Sequence, residues 1–193
     1  MASSVAPPAP TPAPAAASGA LRRLYVVRFA FAVVWAALLF TTTHTLGTLG
    51  ATLLVVYPLF DVACAVVDIR SARAGRGPVR GLYVNVALST LTAGALAAAV
   101  ASGIPAVLRV WGVWAITAGL VQLVVGVLRR GMGGQRPMIA SGALSTLAGA
   151  SFVAQAGQDG TSLASLAGYA FLGGVFFLVS ALRLGRTGPA ARP

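Results

Sequence analysis

The chain has 193 residues, of which 58% are apolar and only 9% charged, with a mean hydropathy of +0.87. Soluble domains run at roughly 45–50% apolar and about 25% charged, so the balance excludes an ordinary water-soluble globule and reads as an integral membrane protein. The net charge of +11 comes from 14 arginines and no lysine; they lie between apolar runs rather than on one face of a polar domain, so nucleic acid is not an expected partner.

Residues 1–21 read as a disordered Ala/Pro-rich tail. The first 20 carry no charge and five prolines, too little apolar surface and too many helix breakers for an ordered unit. A cleaved secretory signal places its positive charges before its apolar core. Here Arg22 and Arg23 follow the Pro-rich stretch, so the first apolar segment is expected to stay as an anchor.

A spanning helix needs about 20 mostly apolar residues. Six stretches qualify, at 24–43, 49–67, 82–101, 107–128, 138–156 and 162–182. The links "HTLGT", "SGIP" and "GQDG" carry the Gly and Pro of tight turns, which predicts three helical hairpins. The expected architecture is therefore all-α: a six-helix membrane domain over residues 22–185, with a short tail at 186–193.

Taken in chain order, the first helix carries Arg28 near its start, and His44, the only histidine, at its far end, where a solvated cap is the simple reading. The second contains "YPLFDVACAVVDIR", residues 57–70, which places Asp61 mid-run in a chain with three acidic residues. Pro58 should kink this helix and free carbonyls near residues 54 and 55. Cys64 reads as a small core hydrophobe, and Asp68 as an interfacial partner of Arg70 and Arg73. In the third and fourth helices Asn85 and Gln122 are intramembrane amides suited to interhelical hydrogen bonds. Small residues four apart predict contact stripes: Ser89, Ala93, Ala97 and Ala101; Ala115 and Gly119; Ser141, Ser145 and Gly149; Ala170 and Gly174. Trp111 and Trp114 suit an interfacial aromatic belt.

Thirteen arginines fall on one side of this topology and only Arg109 on the other. Short cytoplasmic loops are the Arg-rich ones, so both termini are expected in the cytoplasm. The chain also repeats itself. "RGLYVNVALSTLTAGA" at 80–95 and "RPMIASGALSTLAGAS" at 136–151 share a leading Arg and the pentapeptide "ALSTL", and "RRLYVVRFA" at 22–30 shares Leu-Tyr-Val with the first of these. This predicts three tandem parallel hairpin repeats at about 22–70, 80–130 and 136–184, unlike the inverted repeats of many transporters.

"YPLFDVACAVVDIRSAR", "LRVWGVWAITAGLVQLVVGVLRR", "RPMIASGALSTLAGASF" and "GYAFLGGVFFLVSALRL" together resemble the HdeD-like family of six-helix bacterial inner-membrane proteins, over about residues 22–185. The Pro-rich tail departs from the family pattern. The resemblance implies a plasma-membrane protein with a role in acid or envelope stress tolerance, and supplies no catalytic residues to carry over.

Asp61 is the residue whose chemistry needs explaining. An ionised carboxylate near mid-membrane costs about 2.5–3.5 kcal/mol on insertion scales, so it faces the bundle interior and seeks a partner. Arg28 lies at a depth within about 6 Å at 1.5 Å per residue, which predicts an intramembrane pair. Two roles stay open: a structural clasp, or a proton or ion pathway in a small transporter or channel that also uses Asn85 and Gln122. An enzyme is not expected. There is no Glu or Lys, one His and one Cys, so neither metal clusters nor catalytic dyads assemble, and no cofactor is implied. The partners expected are the lipid bilayer, anionic lipid headgroups at the Arg-rich loops, and, for a chain whose oligomeric state is open, further copies in a homo-oligomer.

Overall fold

In hydrocarbon every backbone N–H and C=O must be bonded within its own segment, so apolar runs of this length become helices. The computed structural model describes residues 13–74, 79–128 and 136–186. Six long helices occupy them: α1 (Ala13–Phe40), α2 (Thr48–Ala74), α3 (Arg80–Ala99), α4 (Ile104–Leu128), α5 (Arg136–Gln155) and α6 (Ala164–Arg186), with a 3-10 turn at Val100–Ser102 closing α3. All six are long and apolar enough to cross a membrane. The expected all-helical, six-span class is what the structure has.

One boundary needs correcting. α1 begins at Ala13, inside the stretch read as tail. Ala15, Ala16 and Ala17 are the strongest helix formers, and a proline in the first turn, here Pro14, removes no intrahelical bond. Residues 1–12 and 187–193, and with them the rest of the two expected tails, lie outside the described residues, as do Arg76, Arg129 and Arg130 of the loops.

Contacts along the helices fix their relative direction. Arg28 and Trp35 of α1 meet Asp61 and Leu53 of α2, in that reversed order. Gly112 and Gly119 of α4 meet Gly149 and Gly142 of α5, and Tyr25 and Ala32 of α1 meet Phe177 and Gly174 of α6. Each helix is thus antiparallel to the next, and α6 packs back on α1 to close a ring. One end of the ring carries the described arginines other than Arg109; the opposite end, here the far end, carries the three short links. Gly103 and Gly160 take positive φ there, at 90° and 70°, a conformation that glycine adopts without a Cβ penalty.

The closest packing lies between α2 and α3, α4 and α5, and α6 and α1, while the pairs joined by the short links touch less. A short link therefore does not make a tight hairpin in this ring; residue size does. On α4, Gly112, Gly119 and Gly126 recur every seventh residue and face Gly149, Gly142 and Ile139 of α5. A Cβ added at Gly119 would come within 2.7 Å of the Gly142 carbonyl oxygen, and one at Gly149 within 2.5 Å of that of Gly112. The two backbones touch. Such close approach is how helices associate where lipid removes the hydrophobic drive.

The predicted stripes hold in part. Ala115, Gly119, Gly149, Ala170 and Gly174 are buried, as are Ser89 and Ala93, but Ala97 and Ala101 are exposed. Because 3.6 residues make a turn, a strict spacing of four drifts off the contact face within a few turns, and on α3 the buried line passes instead through Thr92, Leu96 and Ala99.

All six helices feed one core, which lies towards the far end. Trp35, Leu39, Leu54, Leu96, Leu108, Trp111, Phe152, Leu163 and Leu166 meet there. Trp111 is 0% exposed, so the belt position expected for it is wrong: in a ring whose walls are largely Gly and Ala, a large ring is what fills the centre. The outer surface is apolar, with Leu91 71% exposed; a patch of this extent fits lipid and not water.

Candidate functional site

Towards the Arg-rich end the ring interior turns polar. Asp61, one turn beyond Tyr57 on α2, receives donors from two other helices. Arg28 Nη1 of α1 lies 3.1 Å from Oδ1, while Asn85 Nδ2 and Ser89 Oγ of α3 donate to Oδ2 at 2.6 and 2.8 Å. Three of the roughly four lone-pair positions of the carboxylate are thereby used. Asn85 and Ser89 can converge on one oxygen because residues four apart share a helix face.

Arg28 reaches further. Its Nη2 lies 3.7 Å from an oxygen of Asp68, and its guanidinium sits 5.0 Å from the centre of the Phe177 ring on α6. One arginine thus bridges two carboxylates, seven residues apart on α2, and an aromatic face. Both carboxylate side chains are 19% exposed and that of Arg28 12%. The expected pairing of Asp68 with Arg70 and Arg73 is not what forms. Residues two and five apart do not share a helix face, and residues seven apart do. Arg73 instead hydrogen-bonds the Tyr83 hydroxyl of α3, its guanidinium against that ring.

Of the other predicted residues, Gln122 is not part of this cluster. Its side-chain oxygen accepts a long hydrogen bond of 3.4 Å from Ser141, across the α4–α5 interface. That is an interhelical contact, as expected, but away from Asp61. Cys64 is buried and unpaired, and His44 is exposed in the turn after α1. Pro58 is buried inside α2 and leaves the Leu54 carbonyl without its usual donor. On the same turn the Trp35 indole N–H donates to the Leu53 carbonyl at 2.7 Å, a side-chain bond that pins α1 beside the proline.

Ser89 and Ser145 are the serines of the two "ALSTL" copies, and both bond inward: Ser89 to Asp61, Ser145 to the hydroxyl of Tyr169 on α6, at 2.9 Å. Reading them only as small packing residues missed this. The signal available was their identical place in the repeated pentapeptide.

An aromatic group caps the polar interior on its far side. Tyr57 packs against Phe31, Trp35, Trp111 and Trp114, with ring centroids 4.6 to 6.2 Å apart. Beyond it the core is closed. The polar side chains before it, including Asp61, Asp68 and Asn85, are half-buried. Among the described residues no three His, Cys, Asp or Glu side chains gather as metal ligands. What the arrangement can do is hold a charged pair within the membrane, tie four helices through it, and keep one end of the ring interior polar and the other sealed. No family model, curated protein or solved structure matches the chain.

Proposed function

We propose that the protein is a non-catalytic multi-pass protein of the bacterial plasma membrane, its termini cytoplasmic, and that its six-helix ring is a scaffold whose stability depends on the Asp61–Arg28 clasp. The observation that carries this reading is the engagement of both Asp61 oxygens by donors from α1 and α3. A group so occupied is suited to fixing helices, since removing any donor leaves a buried charge short of a partner. The resemblance to the HdeD-like family supports placing this scaffold in acid or envelope stress tolerance. The asymmetry of thirteen arginines against one supports the orientation, and the Arg-rich loops would draw anionic headgroups at about 1 kcal/mol per residue near the surface. The tandem-repeat reading gains support from the alternation of close and loose interfaces round the ring. The apolar outer face also accommodates a homo-oligomer.

A second reading, a small transporter or channel using Asp61 and Arg28, is favoured by a polar interior that is not fully closed off and by Pro58 within α2. Proton and small-ion flux in proteoliposomes separates the two, comparing wild type with Asp61→Asn and Arg28→Gln. The scaffold reading expects flux no higher than in empty liposomes, and lower melting temperatures for both variants. Flux in wild type that Asp61→Asn abolishes while the protein stays folded would overturn it.

A further inference from the structure

Where α2–α3 and α4–α5 are closed, α3 and α4 part to leave a lipid-facing groove of about 360 Å³ towards the far end. Leu91 and Ala95 of α3 form one wall, Val110, Val113 and Trp114 of α4 the other, and Arg109 stands at the mouth. The threonines that also border it are occupied: Thr92 and Thr117 donate to their own helix, to the carbonyls of Leu88 and Val113. Arg109 is not. Its guanidinium is exposed and makes one long hydrogen bond, 3.5 Å to the Ala156 carbonyl, and no ion pair to a carboxylate among the described residues.

We propose that this groove binds an anionic phospholipid of the leaflet at the far end, with the phosphate on Arg109 and an acyl chain along Ala95, Val110 and Val113. Depth and charge both fit. Arg109 lies five residues into α4, about 8 Å from its start at 1.5 Å per residue, within reach of the headgroup layer for a long, snorkelling side chain. From Arg109 to Thr117 the groove runs a further 12 Å or so towards mid-membrane. A guanidinium presents a planar fork of donors that matches phosphate oxygens. Among the described residues Arg109 is also the single arginine at this end of the ring, so any headgroup preference there traces to one side chain.

Tryptophan fluorescence can read this directly. Trp35 and Trp111 are 1% and 0% exposed, whereas Trp114 lines the groove, so lipids brominated on the acyl chain quench chiefly Trp114. The full chain is placed in phosphatidylcholine vesicles containing brominated phosphatidylglycerol or, at equal bromine content, brominated phosphatidylcholine. The proposal expects phosphatidylglycerol to be preferred about fivefold, the factor that about 1 kcal/mol per basic side chain at a membrane surface gives. Arg109→Gln should bring the ratio close to one, Arg109→Lys should keep part of it, and Ala95→Phe, which fills an exposed wall, should weaken quenching by both lipids. Added inorganic phosphate should change nothing. Equal quenching in wild type, a preference that survives Arg109→Gln, displacement by free phosphate, or quenching that persists in Trp114→Phe would each overturn the proposal. So would the absence of quenching by either lipid, the result expected if a second copy of the chain covered the groove.

Discussion

Asp61 is held by donors whose roles differ in kind: Arg28 neutralises it, while Asn85 and Ser89 solvate it in place of water. Removing the acid leaves Arg28 with Asp68 at 3.7 Å; removing the base leaves two carboxylates facing the interior. Each single change, Asp61→Asn or Arg28→Gln, is therefore expected to destabilise by something on the order of 3–5 kcal/mol, the range for breaking a buried pair. Asn85→Leu and Ser89→Ala should cost only about 0.6–1.7 kcal/mol each, as interhelical hydrogen bonds in membranes do. Thermal unfolding in detergent of the two charge variants and their double variant tests this, because the double should be less destabilised than the sum of the singles by about 0.5–3 kcal/mol. Strict additivity would show that the pair is not coupled. The Asp61–Arg28 contact was legible in the sequence because depth follows from counting residues along a helix. Ser89 was not, because in a chain this rich in Gly and Ala a serine reads as one more small residue. Asp68 was misread because Arg70 and Arg73 are nearer along the chain, while Arg28 reaches it from α1, across the face that Asp68 shares with Asp61.

Glycine sets the closest helix pair of this ring. The α4–α5 contact has backbone against backbone at Gly112, Gly119, Gly142 and Gly149, so no side chain can swing aside to admit a methyl group. Gly119→Ala and Gly142→Ala are each expected to cost about 1–3 kcal/mol as overpacking, whereas Gly94→Ala and Gly168→Ala, with nothing within 4 Å of the added carbon, should stabilise slightly through the better helix propensity of alanine, by about 0.8–1 kcal/mol at most. Melting temperatures of the four variants give the test, and equal effects at contact and open glycines would remove the argument. Helix number, order and approximate ends could be read from apolar run lengths, since hydrocarbon thickness sets them. Which faces meet could not be read the same way. Five of the glycines that matter recur every seventh residue, Gly112, Gly119 and Gly126 on one helix and Gly142 and Gly149 on the next, whereas stripes drawn at every fourth residue ran on to the exposed Ala97 and Ala101. In a sequence where small residues abound, spacing alone does not single out the contact face. Trp111 shows the converse: a residue type with an interfacial preference was claimed by the centre of the ring, where nothing smaller fills the space.

At the scale of the molecule the polar and apolar halves of the interior are divided between the two ends: Arg28, Asp61, Asp68 and Asn85 lie towards the Arg-rich end, and the fully buried Trp35, Leu39, Leu96, Leu108, Trp111, Leu163 and Leu166 lie towards the far end. A ring sealed on one side interacts with solutes from one compartment alone, so its orientation decides which compartment its charged interior meets. In the orientation proposed from the arginine asymmetry that half lies on the cytoplasmic side, where short Arg-rich loops are retained during insertion. Two engineered cysteines test this in a Cys64→Ser background. Gln158→Cys sits in the exposed link between α5 and α6 at the far end, and Ser71→Cys on the exposed final turn of α2 at the other. In intact cells a membrane-impermeant maleimide should label position 158 and leave position 71 unlabelled until the cells are permeabilised. The reverse pattern would turn the polar half outward. Arg28 and Asp61 would then face the medium that a stressed envelope meets first, and the clasp that ties α1 to α2 and α3 would stand at the outer surface rather than the inner one.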